Sequence, residues 1–129
     1  ESISDLERQR KQWAAREPLI LAERLAGCSA QMTEIQSLSI GGIVLVGLPG
    51  EIVWEIGEAI RQRSGLEHIF TVSLSNDYIG YVVLEHMYEE GGFEANITRS
   101  TIGTGEHLID EGVAIAKAVV GLPTKEKSG

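Results

Sequence analysis

The chain has 129 residues, with 19 acidic against 11 basic side chains and a formal net charge of −8. This length suits one domain with a modest core, and the acidic balance argues against a nucleic-acid-binding scaffold, because a phosphate backbone attracts a basic surface. The single cysteine, Cys28, excludes an internal disulfide framework and a multi-cysteine zinc site, and no run of about 20 apolar residues predicts a transmembrane segment.

The N-terminal part of the chain is predicted to be helical. Residues 1–27 form this helical segment, with a break at Pro18, because proline lacks the amide hydrogen that an interior helical position donates. From Ile35 the pattern changes to two β-type runs separated by Gly41-Gly42, which predicts a hairpin whose second strand, residues 43–46, is buried. The chain opens on Glu1 and not on methionine, and we expect it to be a piece of a longer polypeptide.

The remaining elements alternate between helix and strand. Residues 51–64 have helical spacing, residues 68–75 have the pattern of a strand, and residues 76–103 are predicted to be a long loop. A last helix covers about residues 105–120, with Thr104 as a candidate cap and Val120 among its inward residues, and residues 121–129 are expected to be a disordered tail. Residues 35–120 therefore predict an α/β unit, with a small mixed sheet of three to four strands flanked by helices.

Two loops follow predicted strands and carry groups that could do chemistry. Residues 47–51 end on Glu51, and residues 75–81 carry Asn76, Asp77 and two tyrosines. Parallel strands would bring both loops to one edge of the sheet, where α/β proteins bind ligands. The alternatives are structural: Glu51 complements a helix dipole, Asn76-Asp77 forms a turn, and the tyrosines pack. Spacing alone favours these structural alternatives.

The other candidate metal ligands are scattered. His68, His86 and His107 lie far apart and form no pair with metal-binding spacing. Cys28 has no histidine nearby in sequence and is interpreted as a small core residue. The residues alone therefore predict no metal site.

Three segments resemble a known family. Residues 45–51 (LVGLPGE), 74–81 (LSNDYIGY) and 88–94 (YEEGGFE) resemble, in this order and spacing, the neutral/alkaline (non-lysosomal) ceramidase family, most of all its bacterial relatives whose substrates are not established. The resemblance covers roughly residues 35–120 and corresponds to the last part of the family's catalytic domain. It therefore implies that the unit is a fragment of a larger α/β catalytic domain. It implies a zinc-dependent amidase of sphingolipid metabolism that cleaves an N-acyl bond.

The resemblance also implies roles for particular residues. Zinc in this family is held by two histidines, a glutamate and a tyrosine, which makes Glu51 a metal ligand and Tyr81 both a metal ligand and a catalytic residue. Asn76 and Asp77 would support these ligands or form the turn. A carboxylate and a phenolate beside imidazoles suit Zn²⁺, which activates water near neutral pH.

Two departures from the family pattern shape the functional hypothesis. The paired histidine ligands belong to earlier family segments and have no counterpart here, and Phe93 stands where ceramidases proper carry a tyrosine. We therefore expect the chain to be the C-terminal portion of a zinc-dependent amide hydrolase whose substrate is a lipid-like amide. Alone it should be inactive, and the upstream part of the same polypeptide or a partner chain would complete the site. A secreted or periplasmic location is implied by the resemblance only. The alternative is a non-catalytic interaction domain or subunit.

Overall fold

A computed structural model of the chain describes residues 3–5, 7–8 and 30–122. The chain divides into two compact units, Glu1–Met32 and Thr33–Gly129. In the first unit residues 3–5 and 7–8 are helical, and the Arg8 guanidinium lies 3.2 Å from the Asp5 carboxylate. The rest of the predicted helical segment 1–27, with Pro18, as well as Cys28 and the predicted tail from residue 123 onward, lies outside the described residues.

The second unit opens with the predicted hairpin. Strand β1 (Gln36–Ile40) pairs antiparallel with strand β2 (Ile43–Gly47). The two turn residues, Gly41 and Gly42, have φ values of 58° and 86°, as a type I′ turn requires. Glycine adopts this conformation at little steric cost, so the Gly-Gly pair fixes the register of the hairpin.

A three-stranded mixed sheet carries the core. Strand β4 (Ile69–Val72) pairs parallel with β2, which gives the order β1-β2-β4, and helix α1 (Trp54–Ser64) lies between these two strands in the chain. Helix α4 (Thr104–Val119) packs against α1, β1 and β2. The predicted α/β class with a small mixed sheet is confirmed. The buried apolar cluster consists of Val44, Val46, Leu48, Ile56, Ile60, Ile69, Val82, Leu108, Ile109 and Ala116.

The two faces of this sheet differ in burial. Val44 and Val46 of β2 face the helices and are buried. On the opposite face of the sheet, side chains are exposed, for example 58% for Phe70 of β4 and 63% for Ile40 of β1. The prediction of a buried strand over residues 43–46 is therefore correct for Val44 and Val46 but wrong for Ile43, which belongs to the exposed set. We call this set the bare sheet face: Leu38, Ile40, Ile43, Phe70 and Val72.

A second, two-stranded sheet corrects two of the sequence predictions. The predicted loop 76–103 contains strand β5 (Tyr81–Val82) and helices α2 (Glu85–Glu90) and α3 (Phe93–Ile97). The start of the predicted helix 51–64 is instead strand β3 (Glu51–Ile52), which pairs parallel with β5. Helix α1 begins only at Trp54, and the preceding Glu51 and Val53 amides donate to the Gly80 and Val82 carbonyls. Glu51 is therefore not a helix-dipole residue.

The last helix matches its prediction except at the ends. Thr104 is its first helical residue and follows Gly103, which has a φ of 91°, so Thr104 is not the cap. Val120 lies beyond the last turn and is 38% exposed, so the prediction that it points inward is wrong. Across the described residues, no helix combines the length and the apolar character needed to cross a membrane.

Candidate active-site cleft

The two residues proposed as ligands are direct partners in the small sheet. Glu51 of β3 and Tyr81 of β5 occupy paired positions in the parallel register. The Glu51 amide donates to the Gly80 carbonyl at 2.9 Å, and the Val53 amide donates to the Val82 carbonyl at 3.3 Å. Paired residues in neighbouring strands project to the same side of the pleat, so the carboxylate and the phenol emerge together.

The Glu51 carboxylate lies between two phenols. Tyr78 donates its hydroxyl to Glu51 Oε1 at 3.0 Å. Hydrogen bonding to Glu51 also raises the pKa of the Tyr81 phenol, and partial burial and the negative charges of Glu51 and Glu94 raise this pKa further. The Tyr81 ring packs edge-to-face on Phe93, with ring centroids 5.9 Å apart and planes at 81°. The raised pKa keeps the Tyr81 phenol protonated at neutral pH.

Gly50 allows the two strands to approach each other. Its φ is 102°, and a Cβ at this position would overlap the Gly80 carbonyl oxygen and touch Ile79 Cγ1 at 3.0 Å. The Gly50 carbonyl in turn accepts a hydrogen bond from the Leu74 amide at 2.9 Å. The Pro-Gly-Glu segment therefore needs glycine next to the candidate ligand for a steric reason.

The backbone of Tyr81 is fixed from its other side. The carbonyl of Tyr81 accepts hydrogen bonds from the hydroxyls of Thr98 at 2.6 Å and Ser100 at 3.4 Å. The Ser100 carbonyl accepts a hydrogen bond from the Tyr88 hydroxyl at 2.7 Å. These side chains occupy the outer edge of β5, so Tyr81 is held between β3 and the segment that follows α3.

A cleft of about 650 Å³ opens beside the pair. Trp54, Leu74 and Met87 form an apolar part of its wall. The carboxylates that line it are those of Glu51, Glu55, Glu90 and Glu94. Trp54 and Leu74 are both exposed. The full set of lining residues is Glu51, Ile52, Val53, Trp54, Glu55, Ser73, Leu74, Tyr81, Val83, Met87, Glu90, Gly91, Glu94 and Ala95.

Asn76 and Asp77 build the loop that carries Tyr78. Asn76 has a φ of 68°, a left-handed conformation that asparagine tolerates better than most residues. Asp77 accepts the backbone amide of Tyr78 on Oδ1 at 2.7 Å and the hydroxyl of Thr33 on Oδ2 at 3.0 Å. Asn76 therefore has the backbone conformation of a turn residue, and Asp77 connects the loop that carries Tyr78 to Thr33.

The histidines do not join this cleft. His68, His86 and His107 all lie within the described residues, are exposed and are not among the residues that line the cleft. His68 Nε2 lies 3.9 Å from the Glu67 carboxylate, at the surface. The structure therefore brings together Glu51 and Tyr81 from the sequence candidates and leaves the histidines apart.

The donor set fits part of a zinc site. Glu51 and Tyr81 offer a carboxylate and a phenol from one pair of positions, which are hard oxygen donors that suit Zn²⁺. Among the described residues, however, no group of three histidine, cysteine, aspartate or glutamate side chains is arranged to hold a metal ion. Zinc sites use three or four protein ligands, so these residues fit as two donors of a larger set.

Sequence reasoning did not assign the contacts of two residues that organise the pair. Tyr78 belongs to the same Asn-x-Tyr-x-x-Tyr segment as Tyr81 but was not assigned a contact with Glu51. Thr98 was not connected with Tyr81, because the bond from its hydroxyl to the Tyr81 carbonyl joins residues whose closeness depends on β5, α2 and α3. The motif itself could have pointed to Tyr78, whereas no local signal points to Thr98.

Comparison with known proteins gives a structural match. The fold is similar to the crystal structure of neutral ceramidase from Pseudomonas aeruginosa, with a TM-score of 0.58, 24% sequence identity and coverage of 74% of this chain. A structure of a ceramidase complexed with C2 matches with the same three values. The matched region spans 16% of each of those chains. No protein-family profile matches the sequence, and no curated protein matches it. The shared fold agrees with the family resemblance of the three segments.

Proposed function

We propose that this chain supplies the oxygen-donor half of a zinc-dependent amide hydrolase site of the ceramidase type, with Glu51 and Tyr81 as metal ligands. The observation that carries the proposal is their pairing: two residues far apart in sequence occupy opposite positions of a two-strand parallel sheet beside a cleft. The resemblance of the flanking segments to ceramidases supports the choice of metal and reaction.

The chain's own residues define what the site can do. Zinc bound there would supply Lewis-acid chemistry, which polarises an amide carbonyl and activates water near neutral pH. Glu51 provides negative charge, and Tyr81 provides an oxygen that becomes an anionic donor when its proton leaves. Trp54 and Leu74 provide exposed apolar surface at the cleft, which suits the acyl chain of a lipid-like amide.

The remaining ligands would come from outside the described residues. In the ceramidase pattern these are two histidines, carried by the upstream part of the same polypeptide or by a partner chain. Two oxygen donors alone should hold zinc weakly. We therefore expect this chain to be inactive by itself and to become competent only in the assembled protein.

A zinc titration with matched variants tests the proposal. Zinc binding is measured by calorimetry on the chain alone and on the chain mixed with the polypeptide that carries the paired histidines. We expect tight binding only in the mixture, with loss in Glu51→Ala and Tyr81→Phe. One control, Glu58→Gln, changes a carboxylate outside the lining of the cleft and should bind like the wild type. Zinc-dependent amidase activity of the 129 residues alone, or binding unaffected by Glu51→Ala, would contradict the proposal.

A second candidate function rests on a different observation. The bare sheet face is a contiguous apolar surface, and parallel sheets in α/β proteins are usually covered on both faces. A non-catalytic domain that packs on a partner through this face would explain it without a metal. A mixture that forms a stable complex but binds no zinc would favour this interaction-domain function.

A further inference from the structure

We infer that Tyr78 is a positioning residue for Glu51, which holds the carboxylate in the orientation that a cation at the cleft would meet. This inference rests on the proposed function, because it assigns Glu51 a ligand role. Its structural basis is separate, since it comes from the Tyr78 contact and not from the strand register.

The contact restrains the most mobile part of the Glu51 side chain. The final torsion of a glutamate is broad, so a carboxylate held only by its strand position can rotate freely. The hydroxyl of Tyr78 donates to Glu51 Oε1 at 3.0 Å, and rotation of the carboxylate would break this hydrogen bond. Hydrogen bonds that accept on an ionised oxygen are stronger than neutral ones, so the restraint holds although Tyr78 is exposed.

Tyr78 is itself held in place by its neighbours. Its backbone amide donates to Asp77 Oδ1 at 2.7 Å, and the other oxygen of Asp77 accepts the hydroxyl of Thr33 at 3.0 Å. Two preceding residues, Leu74 and Asn76, have positive φ values of 57° and 68°. The loop therefore fixes the start of the Tyr78 side chain, and the hydrogen bond to Glu51 fixes its end.

The two phenols beside Glu51 then have different roles. If Tyr81 is a ligand, its oxygen is committed to the metal ion. Tyr78 lies outside the proposed ligand set and remains available as a hydrogen-bond donor to the carboxylate. Partners of this kind fix ligand orientation, and their loss commonly lowers metal affinity by about ten- to a hundredfold.

The test follows the Glu51 carboxyl directly. The 129-residue chain is prepared with ¹³C-labelled glutamate carboxyl groups, and the Glu51 resonance is assigned by its loss in Glu51→Gln. Its chemical shift is recorded without metal and during titration with Zn²⁺ alone, in the wild type and in Tyr78→Phe. Thr101→Val is the control, because it removes an exposed hydroxyl that contacts Thr104 and does not line the cleft. Urea unfolding of each variant verifies that it is folded.

The inference predicts two changes that a general loss of stability would not produce. Tyr78→Phe should shift the metal-free Glu51 resonance and weaken its response to zinc about tenfold, while Thr101→Val should leave both unchanged. Equal behaviour of the two variants, with a zinc response that still needs Glu51, would overturn the role of Tyr78 and leave the proposed function standing. A wild-type Glu51 resonance that ignores zinc, both in the chain alone and in the histidine-bearing assembly, would overturn the ligand role and the inference together.

Discussion

The close approach of β3 and β5 makes Gly50→Ala the most informative single substitution. An added methyl group at Gly50 would overlap the Gly80 carbonyl oxygen, which is the acceptor for the Glu51 amide. The φ of 102° also lies in a region that side chains of L-residues avoid. The variant should therefore separate the strands that place the candidate ligands.

The expected cost has two parts. A non-glycine residue held at an unfavourable φ costs on the order of 1–3 kcal/mol. Relief of an overlap with backbone, which cannot rotate away as a side chain does, costs about 1–3 kcal/mol more. Together these terms predict a loss of about 2–6 kcal/mol in the free energy of unfolding, which is a large fraction of the roughly 5–15 kcal/mol typical of a domain.

Gly65→Ala is the matched control because it has the cost of a positive φ without the cost of a steric overlap. Gly65 ends helix α1 with a φ of 69°, and a Cβ there meets no atom within 4 Å. Its replacement should cost roughly 1–2 kcal/mol, from the left-handed conformation alone. The change in the unfolded chain is the same in both variants, so it cancels when they are compared.

Equilibrium unfolding in urea, followed by circular dichroism, measures both variants. Because the slope of the unfolding free energy against urea should be shared, the midpoints report the difference in stability. Gly50→Ala should unfold at clearly lower urea than Gly65→Ala. If the two variants lose the same free energy of unfolding to within about 0.5 kcal/mol, steric contact between the strands does not define the site.

Two further predictions concern the contacts of Tyr81. Glu51→Gln should lower the pKa of the Tyr81 phenol toward its ordinary value of 10.0, because the hydrogen bond to the carboxylate is the main cause of the elevation. Since this pKa is raised in the folded state, the stability it contributes is present below pH 10.0 and is lost as the pH rises through the folded value. Alkaline titration of tyrosinate absorbance and of unfolding should therefore differ between wild type and Glu51→Gln, and identical curves would count against the contact. Thr98→Val should cost about 1–2 kcal/mol in urea unfolding, because the Tyr81 carbonyl loses its shorter hydrogen bond. The exposed control Thr101→Val should cost less than about 0.5 kcal/mol, and equal losses would assign no role to the Thr98 bond.

The sequence was sufficient for elements that local patterns specify. The Gly41-Gly42 pair predicted the hairpin because only its own backbone conformation is needed to form the turn. The parallel arrangement that brings residues 47–51 and 75–81 together also followed from the strand–helix–strand order. The exposure of Phe70, by contrast, could not be predicted, because its strand has apolar residues on both faces and the pattern does not tell which face is covered.

The small sheet could not be predicted because it depends on contacts between distant residues. Strands β3 and β5 have two residues each, too short for a period of two to be recognised. Glu51 follows Pro49-Gly50 and precedes a helical pattern, so local reasoning assigned it to the helix. Only the hydrogen bond from its amide to Gly80 distinguishes a strand from a helix start. The family resemblance identified Glu51 and Tyr81 as a pair, and the structure supplies their register.

The outer wall of the cleft has a consequence for local unfolding. Within residues 30–122, helices α2 and α3 contain no buried residue, whereas α1 and α4 supply much of the core. Segments with little burial open at a lower free energy than the whole domain, and their amide hydrogens exchange sooner. The segment that includes α2 and α3 can therefore detach while the three-stranded sheet stays folded. Such an opening would remove Phe93 and Thr98 from Tyr81, so the residence time of the closed segment limits how long the pair stays ordered.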